Sequence, residues 1–377
     1  MTALSTPGAV QERVRQALDQ RAPLQLFAGR TKDRLGRRAG PLLPLDLSGL
    51  DQLVSYEPRE LILVVQPGMK LQAVEELLAG ENQHLPFEPP HWGAGATIGG
   101  VTACNLSGPR RFKAGGLRDF ILGMEMIDGC GQRIRGGGKV VKNVTGYDLP
   151  RTLCGAFGTL GPLTELCFKV WPRPAAEQTL VLHGLSPAAA VARMTSLAGR
   201  PWELTGLAYT PSRLLVRVEG PAPAVEAQMQ LLRELLGGEQ SLLEDAPSRA
   251  CWQELRELES FQSGPGEVLW RFSQPPAEAA RLQQALEPQG LARYAIDWGG
   301  GLLWAVLPAA APATSLHQLA LAPQGLMPTR RPSPRCPRAW PASTKNSRPP
   351  STRRASSIRA GCATPQRMGR CGGREMG

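Results

Sequence analysis

The sequence predicts an α+β protein of two globular parts followed by a tail of different character. Three observations carry that prediction. Short apolar runs of strand length alternate with single segments of helical periodicity from residue 9 to about residue 310. Glycine-dense turns punctuate the first part between Thr97 and Gly161. From about Pro323 the periodicity ends, and Arg, Pro, Ser, Ala and Gly take over.

Residues 9–20 (AVQERVRQALDQ) place apolar side chains at helical spacing and predict an opening helix. Leu24–Phe27 is a short apolar run that stops at AGRTK, a strand followed by a turn. Strands follow near 42–47 and 61–66, then a helix over 70–79, with Gln66-Pro67-Gly68 as the turn before it. Residues 121–127 and 132–134 read as a hairpin around Asp128-Gly129, a strong hairpin turn signal. Residues 163–171 alternate and end at Pro172-Arg173-Pro174, which sets a boundary between a first domain, 1–172, and a second, 175–322. The second reads as a strand at 179–183, a helix at 187–198, strands near 204–209 and 213–218, and a helix at 222–237. A helix at 276–286 and strands at 292–297 and 302–307 complete this α/β cap-like unit.

At 377 residues the chain has room for both domains. No stretch approaches the roughly 18 consecutive apolar residues of a membrane span. The first residues lack the basic-then-apolar pattern of a secretory signal, so a cytoplasmic location is expected. The eight cysteines show no regular spacing and read as small buried hydrophobes. The net charge of +11 belongs to the tail: Gln324 to Gly377 holds 12 Lys and Arg against one acid, leaving 31 basic and 31 acidic residues in the body. A body of zero net charge has no global field for seeking a polyanion, so no nucleic-acid partner is expected. The tail, 323–377, reads as disordered on composition. A nucleic-acid arm, a polybasic lipid anchor and an out-of-frame translation of a GC-rich gene are its three readings.

Side chains that do chemistry are sparse. Gly93-Ala94-Gly95 leads to Ile98 where a dinucleotide fingerprint needs glycine, and Gly138-Lys139 leads to Val140 where a P-loop needs Ser or Thr. Four scattered histidines, at 84, 91, 183 and 317, are poor material for a metal site or a triad; His84 and His91 read as loop surface, no metal is expected, and no catalytic residue is assigned. The glycine turns say more. Thr97-Ile98-Gly99-Gly100 and Ala28-Gly29-Arg30-Thr31-Lys32 are built to bring backbone N–H groups close to a large anion, with Arg30 or Lys32 nearby for charge. Gly158-Thr159-Leu160-Gly161 is a third such turn.

Taken in order, these pieces resemble the FAD-binding domain of the vanillyl-alcohol-oxidase/PCMH superfamily over roughly residues 20–172. The carrying phrases are Thr97–Gly100 with Asn105 and Gly108, Arg118-Asp119 with Gly123, Lys142-Asn143 with Gly146-Tyr147-Asp148-Leu149, and Gly158–Gly161. LPFEPP, GGVTACNLSGPRR and GGKVVKNVTGYDL are similar to the branch of bacterial glycolate oxidase E subunits. The resemblance implies a two-subdomain PCMH-type FAD-binding domain followed by a smaller cap-like domain. It places FAD contacts at Ala28, Gly29, Arg30, Thr31 and Lys32, at Thr97, Ile98, Gly99 and Gly100, at Asn105 and Gly108, and at Gly158, Thr159, Leu160 and Gly161. No histidine stands in the cradle or the Asn105–Gly108 turn, so FAD is expected to be held non-covalently. The cradle has one glycine where that superfamily commonly has more. The Asn-Pro-Gly close that relatives carry near their C-terminus is absent, in keeping with a broken reading frame.

The second domain offers only His183 and His317, so the expected role is a flavoprotein subunit rather than the subunit that binds glycolate. The implied partners are a catalytic FAD subunit and an iron–sulfur subunit, with glyoxylate as product, the respiratory chain as electron sink and the inner face of the cell membrane reached through the complex. Lys142, Asn143, Tyr147 and Asp148 are the polar candidates near the flavin ring, with Asp148 also placed to cap a helix. A stand-alone FAD-dependent 2-hydroxy-acid dehydrogenase and a nucleic-acid-binding protein acting through the tail are the rival readings.

Overall fold

A computed structural model of the chain describes residues 3–33, 35, 42–138, 147–261 and 264–312. The basic tail, His317, Lys142, Asn143 and Gly146 lie outside the described residues. Helix α1 (Pro7–Asp19) forms because Thr6 caps it, accepting from Ala9 N at 3.2 Å, and Pro7 takes the first helical position. Its stripe of Val10, Val14 and Ala17 is buried. Strand β1 (Leu24–Phe27) pairs in parallel with β2 (Leu43–Asp46), and both pack with α1 around Leu45, Leu50 and Ile127.

The chain then builds a five-stranded sheet. Strands β3 (Leu53–Glu57) and β4 (Ile62–Val65) come first, followed by α2 (Leu71–Gly80) and β5 (Gln83–His84). Helices α3 (Ile98–Cys104) and α4 (Arg111–Ala114) lead to β6 (Ile121–Ile127) and β7 (Arg133–Gly137). Helix α5 (Leu149–Leu153), β8 (Leu163–Lys169) and β9 (Trp171–Pro172) complete it. The order is β3-β4-β8-β6-β7, antiparallel throughout, and β5 pairs with β9. Val74 and Leu78 of α2 and Ile98 and Val101 of α3 share one core with Phe87, Phe120 and Phe168.

A seven-stranded sheet follows. It is built from β10 (Ala176–Leu185), α6 (Pro187–Ala198), β11 (Leu204–Thr210), β12 (Ser212–Gly220), α7 (Ala222–Leu236) and β13 (Gln240–Glu244). Helix α8 (Asp245–Glu257), β14 (Glu267–Ser273), α9 (Ala279–Leu286), β15 (Arg293–Asp297) and β16 (Leu302–Pro308) follow. The order is β13-β10-β12-β11-β15-β16-β14, and every pair is antiparallel, so β10 to β13 wind as an interleaved β-α-β-β-α-β unit. Alternation divides the strands between two cores. Leu180, Leu214 and Val216 meet α6, α7 and α9 on one face; Val181 and Leu215 meet Trp252 and Leu255 of α8 on the other.

Sequence patterning did not predict β3, β13, α8 or β14. Leu53 and Val54 of β3 are exposed, and the buried face of α8, Ser248, Trp252 and Leu255, has helical spacing but includes a polar residue and only two apolar ones among charged neighbours. The loop after β6 also differs. Asp128-Gly129 opens a five-residue turn rather than filling a two-residue one: Asp128 Oδ1 accepts from Cys130 N and Gln132 N at 2.9 and 2.8 Å, and Gly131 takes the positive φ of 72°.

Candidate functional site

The turn after β1 presents an unusual row of donors. Among the described residues, none accepts a hydrogen bond from the backbone N–H groups of Ala28, Gly29, Arg30, Thr31 or Lys32. The turn before α3 is similar: Gly93, Ala94, Gly95 and Thr97 have N–H groups with no described acceptor. The two turns touch. A Cβ on Gly29 would lie 1.5 Å from Gly95 O, so only glycine allows this approach. Arg30 adopts a left-handed φ of 55°, which turns successive N–H groups toward one side.

Beyond Thr97 the donors are used by the protein itself. Thr97 caps α3, its Oγ1 accepting from Gly100 N at 3.2 Å, while Ile98 N and Gly99 N donate to Met69 O and Pro67 O at 3.1 and 2.8 Å. A Cβ on Gly99 would lie 2.4 Å from Pro67 Cβ, so this glycine serves packing against Pro67. Of the predicted 97–100 turn only Thr97 N has no described acceptor, and the donors beside it are those of Gly93, Ala94 and Gly95. Gly108 packs likewise on protein: its added Cβ would meet Glu88 O at 2.2 Å.

The remaining predicted residues gather around α3 and β1. Asn105 ends α3 in a left-handed conformation, φ 50°, and its buried Oδ1 has no partner among the described residues. Gly155 N and Phe157 N donate to Thr102 O and Ala103 O at 3.2 and 2.9 Å, clamping the following turn to the end of α3. Gly158 then lies over Leu26 of β1, Gly161 lies against Ile127 at the end of β6, and Thr159 and Leu160 face outward. Asp148 accepts from Arg151 N at 3.3 Å as the cap of α5, while Tyr147 is exposed.

The two charged side chains of the first turn diverge. Arg30 stacks on Phe27 at 3.7 Å and pairs with Asp33 at 3.2 Å near the surface. Lys32 folds inward, its Nζ donating to Thr31 Oγ1 at 2.9 Å and to the carbonyls of Pro90 and His91. Burial lowers Lys32 to about 8 and raises the neighbouring Cys104 thiol to about 11. Lys32 thus remains a cation at neutral pH, and Cys104 a thiol.

A second polar region lies between the two sheets, around a cavity of about 490 Å³. Arg217 of β12 grips Glu88 with both terminal nitrogens at 3.0 Å, and Arg110 grips Glu219 at 3.0 and 2.7 Å. Burial alone would raise Glu88, but Arg110 and Arg217 outweigh it and hold the carboxyl at about 2. Glu177 beside them is pushed by burial up to about 7, with Glu219 adding to the push and Arg217 opposing it. His84 and His91, expected on a loop surface, are partners instead. His84 Nδ1 lies 3.2 Å from Arg110, burial followed by Arg110 lowering it to about 3; His91 Nε2 lies 2.9 Å from Glu75. Their carboxylate and arginine partners come from the fold, which the local sequence does not reveal. Among the described residues no three His, Cys, Asp or Glu side chains are placed to hold a metal ion, and no helix is long and apolar enough to cross a membrane.

Two touching turns whose N–H groups have no acceptor among the described residues form a donor set suited to a diphosphate, and Gly29 and Gly95 allow their backbones to meet, so the residues present fit FAD. Comparison with known proteins agrees. A family profile described as an FAD binding domain matches residues 2–137. Glycolate oxidase subunit GlcE of Escherichia coli (strain K12) is 39% identical over 313 residues, covering 83% of this chain and 83% of that protein. Glycolate oxidase subunit GlcD of Bacillus subtilis (strain 168) is 37% identical over 133 residues, covering 35% of this chain and 28% of that protein. Among solved structures, p-cresol methylhydroxylase aligns over 84% of this chain and 78% of its own, with a TM-score of 0.68 at 14% identity, a likeness of fold.

Proposed function

Because this chain belongs to the family of glycolate oxidase subunit GlcE, we propose that it is the FAD-holding subunit of a glycolate-oxidising complex. The observation that carries the reading is the row of backbone donors at residues 28–32, 93–95 and 97 that have no acceptor among the described residues. We assign 1–172 to holding FAD and 175–322 to a cap over it. Ala28 to Lys32, Gly93 to Gly95 and Thr97 would bind the diphosphate through their backbone N–H groups. Asn105, with an unspent Oδ1, would orient the flavin portion, and the 158–161 turn would close the far side of α3. When bound, FAD supplies the two-electron acceptance that oxidation of a hydroxy acid to an oxo acid requires. The protein's part is to hold the cofactor, exclude water and set its electrostatics.

Histidine is scarce in 175–322, where His183 is half-buried and bonded to Ser241 at 2.9 Å. That scarcity supports leaving glycolate binding to a partner that carries its own FAD, with an iron–sulfur subunit passing electrons onward and membrane contact made through those partners. Glycolate-dependent reduction of an artificial acceptor tests the division of labour. The lone chain is expected to hold FAD without turning over glycolate, and addition of the partner subunits to restore turnover. Turnover by the lone chain favours a stand-alone 2-hydroxy-acid dehydrogenase.

A further inference from the structure

The segment Pro90-His91-Trp92 runs directly into the 93–97 turn, and both of its polar edges are gripped from elsewhere. On the carbonyl edge, Lys32 Nζ donates to Pro90 O at 3.3 Å and to His91 O. On the N–H edge stands Glu257, the last residue of α8. Its carboxylate accepts from His91 N at 3.2 and 3.0 Å and from Trp92 N at 3.0 Å. Arg256 Nε, 2.8 Å from Glu257 Oε1, fixes that carboxylate in turn. Trp92 holds a left-handed φ of 50°, a conformation that persists only under external constraint. Its ring meets Trp304 of β16 edge-on at 5.9 Å. The next N–H groups along the chain, from Gly93 to Gly95, are the free donors of the cradle.

We propose that Glu257 and Lys32 are positioning residues for the cofactor, acting through residues 90–92 to set the 93–97 donors. Glu257 stands on the opposite side of the molecule's division from the turn it fixes, so docking of α8 tightens FAD binding without touching FAD. The Lys32 ammonium is committed to protein acceptors and serves the site as a staple between the two turns. This inference rests on the FAD reading above.

The test is FAD titration of full-length apoprotein by flavin fluorescence, paired with amide exchange. Glu257→Ala is expected to raise the FAD dissociation constant about tenfold. His91 and Trp92 amides should lose protection while the strands of both sheets keep theirs. Glu257→Gln retains an acceptor and should recover most of the affinity. Lys113→Ala breaks the exposed Lys113–Glu203 pair, 2.7 Å, between the same two halves and should leave affinity within about twofold. Unchanged affinity in Glu257→Ala overturns the proposal, and so does equal weakening by Lys113→Ala or a general loss of protection. Wild-type apoprotein that takes up no FAD sinks the cofactor reading itself, whereas wild-type uptake matched by Glu257→Ala sinks only this inference.

Discussion

At Gly29 the backbone of one turn lies against the backbone of another, and the 1.5 Å between an added Cβ and Gly95 O is far inside van der Waals contact. Gly29→Ala must therefore move the two turns apart and scatter their donors. It is expected to weaken FAD binding by more than about tenfold, read by fluorescence titration, while far-UV circular dichroism stays unchanged. The FAGRTK phrase made the place of this turn legible, because a strand that stops at a Gly-containing polar run signals a backbone approach. Which N–H groups stay free was not legible. Gly99 and Gly100 have the same glycine signature, yet their donors are spent on Pro67 O and Thr97 Oγ1. Lys32 shows the same gap: its identity suggests a phosphate ligand, while its reach into the Pro90 and His91 carbonyls depends on a loop 58 residues away.

Elements with one clear apolar face were readable from the chain. Residues 187–198 were predicted as a helix and form α6 with those bounds, because Ser186 caps, Pro187 starts, and Ala190, Val191, Met194 and Leu197 repeat at helical spacing. Strand β3 and helix α8 were not: β3 leaves Leu53 and Val54 exposed, and the buried stripe of α8 is short and includes Ser248. Helix α3 is an intermediate case: glycines at its first turn read as a loop, and Thr97 converts that loop into a helix start. Thr97→Ala removes the cap on Gly100 N and is expected to cost about 1 kcal/mol, measured by urea denaturation. No change in the denaturation midpoint would show that the Pro67 and Met69 contacts alone hold the start of α3.

Across the whole molecule, the two sheets are joined by charges that no local pattern announces. Glu88 with Arg217, and Arg110 with Glu219, are more than a hundred residues apart in sequence, and no side chain of either pair is more than 12% exposed. Titration of Glu88 in these pairs and of the nearby buried acids Glu177 and Asp297 is expected to favour the folded state most on the acidic side of neutrality. Glu88 is depressed from 4.5 to about 2, so its contribution is present above about 4.5 and is lost as pH falls toward 2. Glu177 and Asp297 are raised to about 7, chiefly by burial, so their contribution is complete below their ordinary values and is lost as pH rises through 7. The thermal midpoint is therefore expected to fall between pH 6 and pH 8, by roughly 2–4 °C for each kcal/mol lost. Glu177→Gln should flatten part of that slope; a wild-type midpoint that rises over the same interval contradicts the assignment.

Whether backbone amides of residues 28–32, 93–95 and 97 hold FAD is decided by adding FAD to apoprotein and measuring bound flavin after gel filtration. One FAD per chain is expected, released on denaturation without covalent attachment. Protein that emerges folded and free of flavin at saturating FAD would contradict that expectation.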